Sequence, residues 1–157
     1  MSRKIFDQGE LVSLVTKWKD QGLEVVFTNG CFDLLHPGHI QYLIKARQLG
    51  SRLVVGMNSD SSVKRLKGDN RPIINEQGRL LALAALETVD AVVLFDEDTP
   101  EKLIASFLPD VLVKGSDYEK SNIVGADIVE SHGGKVELIN LVPGYSTTEI
   151  IKKIKTK

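Results

Sequence analysis

The sequence predicts an α/β protein: a Rossmann-like, doubly wound sheet of about five parallel strands with helices on both faces. Three observations predict it. Short β-branched runs alternate with helical patterns along the whole chain. The runs are continuously apolar, as expected of strands covered on both faces. Each is followed by a helical pattern, which calls for right-handed crossovers.

The elements follow in order. Glu10 to Lys19 places Leu11, Leu14, Val15 and Trp18 on one helical face. That helix is expected to cover the sheet edge or to join a subunit interface. Val25-Val26-Phe27 reads as the first strand, ended by the breaker Asn29-Gly30. The second helix runs from Gly38 to Leu49 with Tyr42, Leu43 and Ala46 facing inward, and Gly50 as its C-cap. Leu53 to Met57 is the second strand. Glu76 to Leu86 is a Leu- and Ala-rich helix, and Ala91 to Phe95 the third strand. Thr99-Pro100-Glu101 reads as an N-cap, an N1 proline and a first-turn acid. Val111-Leu112-Val113 is the fourth strand. Asn122 to His132 is a helix ended by Gly133-Gly134, Val136 to Ile139 is the fifth strand, and Thr148 to Ile154 is the last helix.

The 157 residues suit a single domain, 1–157. Apolar and charged fractions of 42% and 26% are those of an ordinary globular protein. A net charge of -1 gives no electrostatic argument for nucleic acid or a membrane surface as partner. Cys31 is the sole cysteine, which excludes an intramolecular disulfide and suits a reducing compartment. No stretch approaches the roughly 20 apolar residues of a membrane span, and no leader pattern opens the chain. A cytoplasmic protein is expected.

In doubly wound sheets ligands bind outside the carboxyl ends of the strands. After the first strand stands Thr28-Asn29-Gly30-Cys31-Phe32-Asp33-Leu34-Leu35-His36-Pro37-Gly38-His39. Gly30 permits close backbone approach, and Pro37 suits the first helical position. The helix start offers free N–H groups and a positive dipole end to an anion. His36 and His39, three apart, share a helical face and can donate to a phosphate as charge builds on it. Cys31, Asp33, His36 and His39 are also potential ligands of a structural metal, the rival reading of this segment.

After the second strand, Lys67 and Arg71 lie in a basic loop with Gly68 and Pro72 beside them, suited to a triphosphate. After the fourth strand come Lys114, Gly115, Asp117 and Tyr118, where a base or sugar would approach. After the fifth come Ser146, Thr147 and Thr148, an N-cap with free N–H groups for β- and γ-phosphates.

The segment from Thr28 to His39 resembles the H-x-G-H signature of the cytidylyltransferase-like nucleotidyltransferases, and Ser146-Thr147-Thr148 resembles their second signature. Asn58 to Gly68, Arg71-Pro72-Ile73, Thr99 to Ile104, Pro109 to Tyr118 and Ser146 to Ile151 together resemble the heptose 1-phosphate adenylyltransferases within that superfamily. The resemblance covers about residues 24 to 154. It implies joining of AMP from ATP to a heptose 1-phosphate, releasing pyrophosphate, with Mg²⁺ bridging triphosphate oxygens. The product would feed a lipopolysaccharide core or another heptose-containing glycan. It implies catalytic roles for His36, His39 and Lys67. Thr28, Asn29, Gly30, Phe32, Arg71, Arg79, Ser146, Thr147 and Thr148 would bind nucleotide. Asp33, Lys114, Gly115, Asp117 and Tyr118 would bind substrate, with no protein-held metal. It also implies a homo-oligomer, with a dimer favoured.

Two alternatives stand beside it. One is a cytidylyltransferase acting on a polyol or sugar phosphate, although no arginine shortly precedes Ser146 as it does in glycerol-3-phosphate cytidylyltransferases. The other is a nucleotide-binding regulatory module without catalysis.

Overall fold

The computed structural model describes residues 4–156. The elements run β1 (Ile5–Phe6), α1 (Gln8–Asp20), β2 (Val25–Gly30), α2 (Pro37–Arg47), β3 (Arg52–Asn58), α3 (Asp60–Lys67), α4 (Glu76–Ala84), β4 (Ala91–Phe95), α5 (Glu101–Phe107), β5 (Val111–Gly115), α6 (Ala126–Ser131), β6 (Lys135–Ile139) and α7 (Thr147–Lys155). The strands form one six-stranded sheet in the order β1-β4-β3-β2-β5-β6, every pair parallel.

Two hydrophobic layers enclose the sheet. Leu11 and Val15 of α1, Leu103, Ile104 and Phe107 of α5, and Val129 of α6 pack with Phe27, Val54, Val93 and Leu112 on one face. Leu43 and Ala46 of α2 and Leu83 of α4 pack with Val26, Leu53, Val55, Val92 and Val113 on the other. Leu11 and Val15 of α1 are thus buried on the sheet face, with Leu14 and Trp18 partly buried beside them. Strand β6 lies at the sheet's margin, so Lys135 and Leu138 stay exposed while Val136 and Ile139 are buried.

Some local readings need correction. The sheet gains β1, whose two residues are too few to give a periodic signal, paired through Ile5 and Phe6 to Val92 and Val93. The stretch read as a basic loop begins with a helix, α3. Ser59 caps it, accepting from Ser62 N–H at 3.0 Å, with Asp60 in the first turn and Lys64, Arg65 and Lys67 in the last. Charges of that polarity complement the helix dipole, and the polar composition hid the helix. Gly125, in the left-handed region at φ 86°, separates α6 from a short turn at Lys120–Asn122. Pro100 rather than Thr99 occupies the N-cap of α5, and no side chain caps it.

The chain order reverses at β2. Strands β3 and β4 are laid down on one side of it, then β5 and β6 on the other. This reversal point is where doubly wound sheets open a crevice. The β2–β5 ladder registers only Val26 with Val111 and Phe27 with Leu112, against six pairs between β2 and β3. Beyond Phe27 side chains span the gap. Thr28 Oγ1 donates to Val113 O at 3.1 Å and, its proton so used, accepts from Tyr42 O–H at 2.8 Å. One residue further, Lys114 Nζ donates to Asn29 Oδ1 at 2.5 Å.

Candidate active site

A cleft of about 720 Å³ lies over the carboxyl ends of β2 and β5. Its walls carry Asn29, Gly30, Phe32, Asp33, His36 and His39 from the first junction, and Lys67 and Arg71 from the end of α3 and the loop after it. Lys114, Gly115, Asp117 and Tyr118 come from the end of β5, and Ser146, Thr147 and Thr148 from the start of α7. A depression of comparable volume, about 670 Å³, lies around Arg65 and Asp96 to Asp98. There Arg65 already pairs with Asp96 and Asp98.

The first junction is shaped by strained backbone. Phe32 and Leu34 hold φ of 48° and 54°, a region that side-chain-bearing residues avoid and that recurs at functional loops. Pro37 takes the first position of α2 and His36 its N-cap, where Nδ1 accepts from His39 N–H at 3.4 Å. That contact leaves the His36 proton on Nε2 when the ring is neutral. The two imidazoles stack, with centroids 3.8 Å apart and planes inclined by 21°. Tyr145 continues the stack beyond His36, and Phe32 tilts against His39. A Cβ at Gly38 would lie 3.0 Å from both the His36 ring and Tyr145 Cβ, so a larger residue would crowd the stack.

Both rings favour the neutral form. Burial, and then the neighbouring His36, push His39 down to about 4. Burial lowers His36 as well, against a backbone hydrogen bond that opposes it. His39 Nδ1 is buried without a hydrogen-bond partner, an orphaned polar atom that a ligand would satisfy.

Asp33 ties the cleft together. Its carboxylate accepts from Arg71 Nε at 2.7 Å, Ile73 N–H at 2.8 Å and Ile74 N–H at 3.0 Å. Its carbonyl accepts from Thr147 Oγ1 at 3.0 Å. Burial raises the Asp33 carboxyl, but the two backbone donors and Arg71 outweigh it and hold the group below the usual carboxylate range. So engaged, Asp33 positions the Arg71 loop and the start of α7 rather than offering an open acceptor to a sugar. With Arg71 Nε taken, its two terminal nitrogens make no hydrogen bond within the described residues, and the residue lines the cleft. Ser146 is the N-cap of α7, but its hydroxyl makes no capping bond. That hydroxyl and the first N–H groups of the helix stand at the cleft wall.

Two residues expected at the nucleotide lie behind the wall. Thr28 is fully buried within the β2–β5 bridge described above. Arg79 is 1% exposed, and its guanidinium donates to Ile74 O, Cys31 O, Asn58 O and Asp60 Oδ1 at 2.7 to 3.0 Å. It braces the loops that form the cleft. Tyr42 and Tyr145 line the cleft without having been singled out. Tyr42 read as an ordinary core residue of α2, and only the contact with Thr28 reveals its second role. Among the described residues no group of three or more His, Cys, Asp and Glu side chains is arranged to hold a metal ion.

A family profile described as cytidylyltransferase-like matches residues 27–153. The chain is 56% identical over 151 residues to bifunctional protein HldE of Methylobacillus flagellatus, covering 96% of this chain and 31% of that protein. It is 62% identical over 134 residues to bifunctional protein HldE of Syntrophotalea carbinolica, covering 85% of this chain and 27% of that protein. The chain thus spans about a third of the length of the curated relatives it matches. The crystal structure of the lipopolysaccharide core biosynthesis protein from Thermoplasma volcanium superposes with a TM-score of 0.63 at 31% identity, covering 77% of this chain and 98% of that one. Pantoate-beta-alanine ligase from Francisella tularensis, at 16% identity and a TM-score of 0.63, covers 99% of this chain and 79% of that chain, and shares the fold alone. With both signature segments on one cleft and the profile spanning most of the sequence, the chain belongs to the cytidylyltransferase-like family.

Proposed function

We propose that this chain transfers AMP from ATP to heptose 1-phosphate, giving ADP-heptose and pyrophosphate. One observation carries the nucleotidyl-transfer reading. The N-terminal ends of α2 and α7, one bearing the stacked His36–His39 pair and the other the uncommitted Ser146 hydroxyl, open on the same cleft. The heptose and adenine assignments are supported by the segments that resemble heptose 1-phosphate adenylyltransferases, and by the likeness to HldE proteins and to a lipopolysaccharide core biosynthesis protein.

In this reading ATP enters as its magnesium complex, the ion bridging triphosphate oxygens and arriving as part of the substrate. Lys67, Arg71 and the start of α7 receive the β- and γ-phosphates. His36 and His39 donate to the α-phosphate as charge accumulates on its oxygens. Asn29, Gly30 and Phe32 face the nucleotide, and Asp117 and Tyr118 the sugar. A cytoplasmic homodimer is part of the same proposal, and sedimentation of the purified protein checks the dimer.

The family description favours a second reading, in which CTP replaces ATP and a polyol or sugar phosphate is the acceptor. Pyrophosphate release measured with ATP, CTP and GTP against several sugar phosphates separates the two. Turnover with ATP and heptose 1-phosphate is expected. Strong turnover with CTP and none with ATP would sink the adenylyl assignment.

A further inference from the structure

The β2–β5 seam holds a cation that the triphosphate contacts leave unused. Lys114 Nζ meets Asn29 Oδ1 at 2.5 Å and stands 5.4 Å from the centre of the Tyr118 ring. Neither neighbour is an anion. Asp117 favours the ammonium charge from nearby, yet among the described residues no carboxylate forms an ion pair with it. The other cations of the cleft differ. Lys67 is exposed at the end of α3, and Arg71 is held by Asp33.

A partly buried ammonium resting on a neutral amide has given up water without gaining a countercharge. An ammonium has three donors, and Asn29 engages one of them. An amide oxygen and a ring face fix the side chain while leaving its charge available to an incoming anion.

We propose that Lys114 anchors the phosphate of the acceptor substrate, a phosphomonoester dianion seated at the seam and distinct from the triphosphate. The proposal rests on the nucleotidyl-transfer reading and deepens it. Both reactants are polyanions, so bringing them together needs a cation for each. One oxygen of the acceptor phosphate forms the new bond to the α-phosphorus. The bond from that phosphorus to the pyrophosphate oxygen breaks, and its electron pair leaves with pyrophosphate. The attacking oxygen is already anionic, so no proton has to be removed. Lys114 reduces the repulsion between the two anions and fixes the attacking oxygen in line. Asp117 and Tyr118, on the turn that follows, are then placed for the sugar hydroxyls.

The test uses Lys114→Met and Lys114→Arg in the full chain, with ATP and heptose 1-phosphate varied separately. Lys114→Met is expected to raise the acceptor KM about 10- to 100-fold while ATP affinity stays within about twofold. Lys114→Arg is expected to recover part of the loss. Calorimetry with inorganic phosphate, on protein loaded with a non-hydrolysable ATP analogue, gives a readout independent of turnover. Binding to wild type and none to Lys114→Met supports the anchor. Equal phosphate binding by both, or an ATP affinity that falls while the acceptor KM holds, overturns it. A wild-type protein that binds phosphate through Lys114 yet makes no ADP-heptose supports the anchor and sinks the heptose assignment.

Discussion

Lys114 Nζ and Asn29 Oδ1 meet at 2.5 Å across the two strands whose ladder has ended at Phe27 and Leu112. The contact replaces backbone rungs with a polar bridge, and its stability should depend on pH. Burial lowers the Lys114 ammonium to about 8, with Asp117 and Cys31 opposing the shift. The unfolded lysine titrates near 10.4, so between about pH 8 and 10 the unfolded chain binds more protons. Stability from this group therefore rises with pH across that window, and its penalty is fully present below about pH 8. Lys114→Met is expected to raise Tm at pH 7 by about 2–4 °C and to flatten the alkaline slope. Calorimetric melts from pH 7 to 10 check both.

The stacked histidines give a second pH signature. His39, lowered to about 4, is neutral across the physiological range. An unfolded histidine titrates near 6.5, so stability from His39 is lost as pH falls from about 6.5 towards 4. In NMR titration of the free protein the His39 ring is expected to show its midpoint near 4. A midpoint near 6.5 would mean that the ring is solvated and the stack open.

Removing either imidazole tests the chemistry. His36→Ala and His39→Ala are each expected to lower kcat by about 10²- to 10³-fold with the fold intact. Near-normal rates in the double variant would remove both residues from the mechanism.

Asp33→Ala should act through geometry. It frees Arg71, Ile73 N–H and Ile74 N–H at once. The expected outcome is a loss of about 2–4 kcal/mol and an ATP KM raised about 10-fold or more. Faster proteolysis between residues 68 and 74 would accompany it. Because the folded carboxyl lies below its usual range, its contribution is present above about pH 4 and is lost as pH falls through the folded value. In denaturant melts the gap between variant and wild type should therefore be full at pH 7 and shrink progressively as pH falls below about 4.

Ser146→Ala and Arg79→Lys separate ligand contact from scaffolding. Ser146 caps nothing, so its loss should cost under about 0.5 kcal/mol while weakening ATP binding. Arg79→Lys breaks a buried fork of four contacts and should cost about 3 kcal/mol. Paired measurements of Tm and ATP Kd distinguish the two patterns.

The layered fold was legible because the central strands are buried on both faces and their apolar runs cannot be read as anything amphipathic. Strand-end logic then led to most of the cleft, including the His36–His39 pair and the start of α7. Other features depended on tertiary partners. Ser59 to Lys67 has one buried apolar residue, Val63, and so lacked a helical stripe. Arg79 and Lys114 are both cations that the resemblance places at a bound ligand. Burial and hydrogen bonding tell them apart, since Arg79 is surrounded by carbonyls and a carboxylate whereas Lys114 rests on one amide. Asp33 looked like a free acceptor because its donors lie about forty residues downstream.

The last helix has a consequence for how the molecule is made. No residue of α7 is buried, so the two cores can close without it. Yet its first turn supplies Ser146 and the Thr147 tether to Asp33. During synthesis the body of the protein can thus mature before the cleft is finished. A variant truncated before Tyr145 is expected to keep both cores while lacking one wall of the cleft.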